Sequence, residues 1–211
     1  LKLNMNREPR FYAWIAFHNG YYEVSGEDDR KEFSYAPIWK RGKDKKYKQL
    51  VQFMKTQNMG ITNDNKYGTK TGYLNKKGAH PGTSASKSTG FKVINYPWPM
   101  VRLAELYLNY AEACVECNDL TEAKKYLNYV RERAGIPKVE VSWDGIAELT
   151  QDKLREIVHQ ERLIELYLEN HNFWDIRRWG IAETLGEQPK GLSVQAKTIT
   201  EFAKPVSVDV Q

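Results

Sequence analysis

The chain has 211 residues and a formal net charge of +5 at pH 7, with 32 lysines and arginines against 27 aspartates and glutamates. A chain of this length can bury a hydrophobic core and form one or two domains. The sequence contains no signal peptide and no apolar run of transmembrane length. Its four histidines have no metal-ligand spacing, so we expect no metal ion or other cofactor.

The segment FYAWIAFHNGYYEVSG, which begins at Phe11, has the pattern of two strands joined by a turn. In an extended chain, Tyr12, Trp14 and Ala16 would share one face of the first strand. The following His-Asn-Gly sequence is typical of a tight turn. We therefore predict a short β-hairpin near the start of the chain.

The next segment is strongly basic. From Lys40 to Lys87, eleven lysines and one arginine stand against Asp44 and Asp64, which gives a net charge of +10. The basic residues follow neither a helical nor a strand period, and no known nucleic-acid module surrounds them. We therefore favour a solvated loop face and expect no nucleic-acid partner. Acidic sugars or an acidic protein surface are the alternative ligands of this segment.

A helical hairpin is predicted between residues 96 and 133. The first helix starts near Arg102, and its apolar residues recur at helical spacing on one face. The residues predicted to be buried on that face are Leu103, Leu106, Tyr107, Tyr110, Ala111 and Cys114. The residues predicted on the opposite face are Arg102, Glu105, Asn109, Glu112 and Glu116.

The second helix of the hairpin has recognisable ends. Asp119 and Glu122 have the spacing of a capping box, and Gly135 followed by Pro137 ends the helix. Small residues at Ala111 and Ala123 would allow the two helices to approach closely. The hairpin is similar to a tetratricopeptide unit, which needs neighbouring helices to bury its apolar face.

Cys114 and Cys117 form a C-x-x-C sequence at the end of the first helix. Redox-active C-x-x-C pairs lie at helix N-termini, where the helix dipole lowers the thiol pKa. This pair lies at the opposite end of its helix, without a second pair or a nearby histidine. We predict a core thiol at one position and a partly exposed thiol at the other.

A block of charges follows the helix that starts near Thr150. Glu161 and Glu165 interrupt its apolar stripe at a spacing that places both on one face. Nearby arginines would lower both carboxyl pKa values, whereas a glycosidase needs one raised pKa in an open cleft. We therefore predict a buried ionic network, with no catalytic residue, formed by Glu161, Arg162, Glu165, Asp175, Arg177 and Arg178. Trp174 and Trp179 are predicted to be core aromatics.

Several motifs together resemble one family. RLAELYLNYAEA, RERAGIP, ERLIELYLEN and FWDIRRWG, in this order and at these separations, resemble the C-terminal half of SusD/RagB outer-membrane nutrient-binding proteins. EPRFYAWI near the start, and TGYLNKKG followed by NYPWPMVRLAE, fit the same pattern. The chain departs from it at Glu8, where the family has Asp, and at Asn170 and Asn172, where the family usually has Gly and a basic residue. Asn170 suits a left-handed position, whereas Asn172 removes a charge.

The resemblance implies a mainly α fold, a tetratricopeptide-like helical scaffold (an α–α superhelix) with irregular loops. The chain begins at Leu1 without an initiator methionine and ends in KPVSVDVQ, so we expect residues 1–211 to be the C-terminal region of a longer protein. Within it we expect a strand and loop insertion region at 1–95, a helical region at 96–187 and an irregular, truncated tail at 188–211.

The resemblance also implies a function without catalysis. The expected role is binding of an oligosaccharide or polysaccharide at the cell surface and its delivery to a SusC-like TonB-dependent transporter. Attachment to the outer membrane would use an N-terminal lipid absent from this chain. The alternatives are a carboxylate glycosidase using Glu161 and Glu165, and a protein-binding helical-repeat scaffold.

Glycan contacts are expected in the loops around the helices. Aromatic rings cover the apolar faces of sugars, and polar groups satisfy the hydroxyls. The predicted ligand-binding residues are Tyr22, Tyr35 and Trp39, with Asn19 as a polar neighbour.

Overall fold

The computed structural model describes residues 2–27, 42–55, 57, 68–80, 83–86, 90–143 and 149–208. The chain divides into two compact units. Unit 1 comprises Leu1–Pro97 and Glu187–Gln211, and unit 2 comprises Trp98–Gly186. No helix in the described ranges is long and apolar enough to cross a membrane.

The described part of the chain contains seven helices and eight short strands. The helices are α1 (Pro9–Trp14), α2 (Leu103–Glu116), α3 (Leu120–Arg133), α4 (Val139–Ser142), α5 (Gln151–Glu165), α6 (His171–Arg178) and α7 (Ile199–Phe202). The strands are β1 (Ile15–Phe17), β2 (Tyr21–Glu27), β3 (Gly42–Leu50), β4 (Tyr73–Asn75), β5 (Ser84–Ser86), β6 (Gly90–Lys92), β7 (Lys190–Leu192) and β8 (Pro205–Ser207). The prediction of a mainly helical scaffold with short strands is confirmed.

Unit 2 is a helical hairpin packed against a third helix. The α2–α3 pair buries Ala111 and Ala123 completely, and these small residues let the two helix axes approach. Helix α5 adds Leu154 and Val158 to the same apolar core. The core therefore joins residues that are about 40 positions apart in the sequence.

The buried face of α2 differs from the predicted one. Leu103, Leu106 and Tyr110 are exposed, whereas Leu108 and Glu112 are buried. Each residue along a helix is rotated by about 100° from the one before it. A predicted face that is displaced by one residue therefore exchanges buried and exposed positions. The prediction was wrong at Glu112 because polar partners from α5 and α6 surround its carboxylate, which apolar spacing does not reveal.

The helix ends follow local sequence. The Asp119 carboxylate accepts a hydrogen bond from the Glu122 backbone N–H at 3.2 Å. The reciprocal half of the predicted capping box is absent, because the Asp119 N–H donates to the Cys114 carbonyl and the Glu122 carboxylate pairs with Lys125. Gly135, with φ of 73°, ends the hairpin as predicted.

The predicted β-hairpin near the start of the chain was wrong. Residues Pro9–Trp14 form helix α1, with Pro9 in the first turn, where its missing N–H costs no hydrogen bond. The turn after Phe17 does form, with Asn19 at φ of 64°. It connects strands of two different sheets, because β1 pairs with β4 and β2 pairs with β3, both antiparallel.

The tail of the chain folds with unit 1. The sequence predicted irregular structure for residues 188–211, but the described part contains β7, α7 and β8, with β7 and β8 antiparallel. Leu192, Val194 and Ala196 alternate along this segment and are buried with Phe202 against Val51 and its neighbours. This apolar cluster orders the tail.

Candidate functional site

Buried charges are the main feature of unit 2. Glu112, Arg131, Glu161, Arg162, Glu165 and Asp175 are all buried. Charges are buried in proteins only when they are paired and hydrogen-bonded, because desolvation of an isolated ion is very costly. The partners of each group therefore indicate what it does.

Glu165 is fully buried at the end of α5. Its Oε1 atom accepts from Nη1 of Arg102 at 2.9 Å and from Nη2 of Arg133. Arg102 also binds Glu169, and although burial opposes its charge, these two carboxylates raise the pKa of its guanidinium. These ion pairs connect the start of α2, the end of α3 and the end of α5.

Glu161 has a separate partner. Its Oε2 atom accepts from Nη1 of Arg131 at 3.0 Å, and Arg131 also donates to the Pro137 carbonyl and to Ser142. The sequence placed Arg162, Arg177 and Arg178 near Glu161 and Glu165, but the described partners of the two carboxylates are Arg131, Arg102 and Arg133. The arginines involved come from α2 and α3, about 30 to 60 residues away, and local spacing cannot identify them.

Arg162 and Arg178 serve the junction of α2, α5 and α6. Arg162 binds both oxygens of Asp175, at 3.0 and 3.1 Å, and Arg178 donates to Asp175 and to both oxygens of Glu112. The Trp179 indole N–H also donates to Glu112.

Glu112 stays ionised in this junction. Burial opposes its charge, but hydrogen bonds from His159, Arg178 and Trp179 hold its pKa far below the usual range of a carboxyl group. His159 in turn stacks on Trp179 with ring centroids 3.8 Å apart. These contacts attach α6 to α2 and α5.

Two residues of the FWDIRRWG motif differ from the prediction. The Arg177 guanidinium lies 4.1 Å from the centroid of the Phe173 ring, outside the carboxylate network. Trp174 was predicted to lie in the core, but it is 65% exposed. Trp174 lies on the exposed side of α6, whereas Asp175 and Ile176 lie on its buried side.

A polar pocket of about 320 Å³ lies beside this junction in unit 2. It is lined by Asn109, Glu112, Ala113, Glu116, Arg162 and Arg178. Four of these six side chains are charged, and their charges are satisfied by one another and by neighbours. In the described residues, no group of three or more His, Cys, Asp or Glu side chains is arranged to hold a metal ion.

Several members of the network could not be predicted from the sequence. Arg102, Glu112, Arg131, Arg133 and Glu169 were not identified as ionic partners, although all are bonded to predicted members or to each other. A charged residue at an otherwise apolar helix position is the available signal, and Glu112 carries it. The arginines that bind Glu161 and Glu165 give no such signal.

The predicted glycan-binding residues belong to unit 1. Asn19 is exposed, and its backbone N–H donates to the Val51 carbonyl at 2.8 Å. Tyr22 lies on β2 opposite Gln49, three residues from Asn19. Tyr35 and Trp39 lie outside the described residues. The structure therefore brings Asn19 and the backbone of Tyr22 into one region.

Comparison with known proteins identifies the family. The sequence matches the model of the SusD family over residues 1–206. The chain belongs to the SusD family. It is 42% identical over 80 residues to SusD-like protein P25 of Formosa agariphila, which covers 38% of this chain and 15% of that protein. It is 40% identical over 98 residues to SusD-like protein P2 of the same organism, covering 45% and 19%.

Solved structures of the family have the same fold. The chain aligns with the protein BT4246 over 100% of its own length and 32% of that chain, with 35% identity and a TM-score of 0.74. It aligns with a SusD-like protein from Bacteroides fragilis over 98% of its length and 34% of that chain, with 29% identity and a TM-score of 0.63. The SusD-family chain described above thus spans about a third of the length of these structures.

Proposed function

We propose that the chain is part of a SusD-type protein that binds glycans without catalysis at the outer-membrane surface. The protein would deliver an oligosaccharide or polysaccharide to a SusC-like TonB-dependent transporter and be held at the membrane by an N-terminal lipid. The observation that carries the proposal is the match to the SusD family over nearly the whole chain.

The environment of the two candidate carboxylates supports a role without catalysis. Glu161 and Glu165 are 3% and 0% exposed, and each accepts from arginine. A glycosidase needs two carboxylates that reach opposite faces of a sugar in an accessible cleft. Neither side chain is placed to touch a sugar, and the ion pairs favour a structural role.

The alternative of a protein-binding scaffold has one observation in its favour. Leu103 and Leu106 on α2 and Trp174 on α6 are more than half exposed, and exposed apolar groups on helices are typical of protein interfaces. The glycan proposal and this alternative make different predictions for soluble sugars.

Trp39 is the most informative residue for the test. We expect Trp39→Ala to weaken glycan binding by about 1 to 3 kcal/mol, as for an aromatic anchor in a binding face. Trp174→Ala, which removes an exposed tryptophan from unit 2, is the matched control and should leave glycan affinity unchanged. Glycan-array screening followed by calorimetry gives the affinities, and a thermal melt reports the fold of each variant.

One outcome would reject the contact residue, and two would contradict the proposed function. Equal affinity of the two tryptophan variants would reject Trp39 as a contact. An array without any bound glycan would favour the protein-binding scaffold. Hydrolysis of a glycan that disappears in Glu161→Gln at unchanged melting temperature would establish an enzyme.

A further inference from the structure

The two units carry net charges of opposite sign. Unit 1 contains 21 lysines and arginines and 11 aspartates and glutamates, which gives a net charge of +10. Unit 2 contains 11 and 16, respectively, which gives a net charge of −5. The overall charge of +5 therefore hides a strong separation of charge between the units.

The basic residues of unit 2 are neutralised within that unit. Nine of its eleven lysines and arginines form ion pairs with carboxylates of the same unit. They are Arg102, Lys125, Arg131, Arg133, Lys138, Lys153, Arg155, Arg162 and Arg178. Such paired charges leave little positive field for a ligand.

The described lysines of unit 1 are used differently. Six of them are exposed, and none forms an ion pair with another residue that the structure describes. They are Lys2, Lys55, Lys70, Lys190, Lys197 and Lys204. In contrast, buried Arg10 pairs with Glu8 at 2.9 Å. Unit 1 therefore has a higher net positive charge than unit 2, and its described lysines expose that charge to solvent.

Backbone contacts bring four of these lysines together in pairs from distant parts of the chain. The Leu192 N–H donates to the Thr71 carbonyl at 2.9 Å, and a Cβ atom on Gly191 would lie 2.7 Å from the Thr71 Cα. Thr71 therefore touches Gly191, and each of these residues directly follows a lysine, Lys70 and Lys190, respectively. Only glycine fits at position 191, so this close approach is built into the sequence.

A second contact repeats the arrangement. The Lys55 N–H donates to the Ala196 carbonyl at 3.3 Å, so Lys55 adjoins Lys197. One carboxylate lies close by, since Oε2 of Glu201 is 3.4 Å from the Lys197 backbone nitrogen. Adjoining like charges destabilise a fold unless a counter-ion or ligand offsets the repulsion.

The lysines lie in the same part of unit 1 as the candidate ligand residue Asn19. The Asn19 N–H donates to the Val51 carbonyl, four residues before Lys55. The ring of the preceding residue, His18, accepts from the Phe53 N–H and packs against Phe202, two residues before Lys204. A ligand at Asn19 would therefore lie in the field of these charges.

We infer that the ligand of unit 1 is a polyanionic glycan, whose sugars carry carboxylate or sulfate groups, and that Lys55, Lys70, Lys190 and Lys197 bind those groups. The inference rests on the proposed glycan-binding function. Each ammonium is a compact point charge that pairs with a carboxylate or sulfate from many directions, which suits a repeating chain. The interaction is electrostatic, so its affinity falls as salt concentration rises.

The test uses anionic glycans, derivatives of them with less charge, and unrelated neutral glycans. The protein is screened against oligogalacturonides and their methyl esters, sulfated and desulfated chondroitin, and neutral glucans and xylans. We expect the bound glycans to be anionic, and we expect methyl esterification of oligogalacturonides, which removes their charge, to weaken binding by about tenfold or more, or about 1.4 kcal/mol. Desulfation of chondroitin leaves its carboxylates, so it should weaken binding less. Calorimetry at two salt concentrations gives the affinities.

Paired variants separate a local site from net charge. Lys70→Gln/Lys190→Gln should weaken the anionic glycan about tenfold, whereas Lys125→Gln/Lys153→Gln, which lowers the net charge equally in unit 2, should change affinity less than about twofold. Circular dichroism checks that both variants fold.

Four results overturn the inference. Equal loss in the two double variants would mean a non-specific charge effect. Tighter binding of a neutral glycan would reject the anionic ligand and leave glycan binding intact. Tighter binding of single- or double-stranded DNA than of any glycan would assign the surface to nucleic acid. Absence of any bound glycan would reject the proposed function as well.

Discussion

The two units of the chain use charged residues in opposite ways. In unit 2, arginines and glutamates are buried together and hold the helices to one another through ion pairs, such as those of Glu165 and Glu112. In unit 1, lysines are exposed around a small apolar cluster that includes Phe53 and Phe202. The comparison indicates that the charges of unit 2 serve its own packing, and it is the basis for our proposal that unit 1 recognises a charged ligand.

The units also differ in how far apart their contacts lie in sequence. Helices form from neighbouring residues, and unit 2 consists almost entirely of helices. Unit 1 is built from strands of three to nine residues, whose partners are often far along the chain, as in the pairing of β1 with β4. The strands of unit 1 therefore form only through long-range contacts, whereas the helices of unit 2 form locally and use long-range contacts to pack together.

The largest effect is expected for Glu165→Gln in unit 2. Glu165→Gln removes a fully buried carboxylate that pairs with Arg102 and Arg133, and breaking a buried ion pair costs about 3 to 5 kcal/mol of unfolding free energy. We expect a loss at the lower end of this range, because Arg102 keeps its pair with Glu169 and Arg133 is half exposed. Glu156→Gln is the matched control, because Glu156 is 69% exposed and pairs with Lys153 at the surface. An exposed pair of this kind contributes about 0.2 to 1 kcal/mol.

Urea denaturation of the two variants provides the measurement. Similar losses in both would mean that the network of unit 2 is not a buried scaffold, and the contrast between the units would fail. A Glu165→Gln protein that keeps its stability would also remove the main argument against a catalytic carboxylate at this position.

Local sequence predicted much of unit 2 for a physical reason. Caps and helix ends depend on residues within one turn, so the Asp119 cap and the end at Gly135 could be read directly. Likewise, the left-handed position at Asn170 was recognisable from the residue itself. The buried face of α2 was not, because Glu112 is buried by partners 47 to 67 residues away.

Unit 1 was harder to predict from its sequence. The alternation in FYAWIAF is compatible with a strand, but packing of the Phe11 ring on Phe17 at 5.3 Å accompanies a helix that ends at Trp14. The order of the tail likewise depends on Phe202 meeting residues 150 positions earlier. Neither contact has a local signal, since tertiary packing overrides short-range propensity.

A pH titration should distinguish the units. Burial lowers the pKa of His18, whose Nδ1 atom accepts from the Phe53 N–H at 3.1 Å. The folded-state pKa lies below the unfolded value of about 6.5, so the stabilisation is complete above that pH. It is lost as the pH falls from there through the folded-state pKa, at about 1.4 kcal/mol per pKa unit.

Hydrogen exchange of the Phe53 amide reports this change. Protection in unit 1 should fall as the pH drops below about 6.5, whereas amides of α2 beside Glu112 should remain protected, because the pKa of that carboxyl is strongly lowered. His18→Gln keeps an acceptor for Phe53 and should flatten the profile. The control variant His80→Gln should keep the pH dependence of Phe53 protection. A flat profile in that control would mean that His80, and not His18, causes the pH dependence.

The smallest effect is expected at Leu168 in unit 2. Among the described residues it is the one positive-φ residue, at 60°, that is neither asparagine nor glycine. A left-handed conformation costs a branched residue about 1 to 2 kcal/mol, and glycine avoids this cost but loses about 0.5 to 1 kcal/mol of backbone entropy.

Because Leu168 is 53% exposed, its side chain adds little burial, and Leu168→Gly should raise the unfolding free energy by about 0.5 kcal/mol. Leu168→Ala keeps the backbone strain, so it should be no more stable than the parent. Asn170→Gly should change stability by a few tenths of a kcal/mol at most, because asparagine tolerates the left-handed region. If Leu168→Gly is less stable than Leu168→Ala, the left-handed backbone at this position stores no strain that glycine relieves, and this segment of unit 2 is more relaxed than its φ angle indicates.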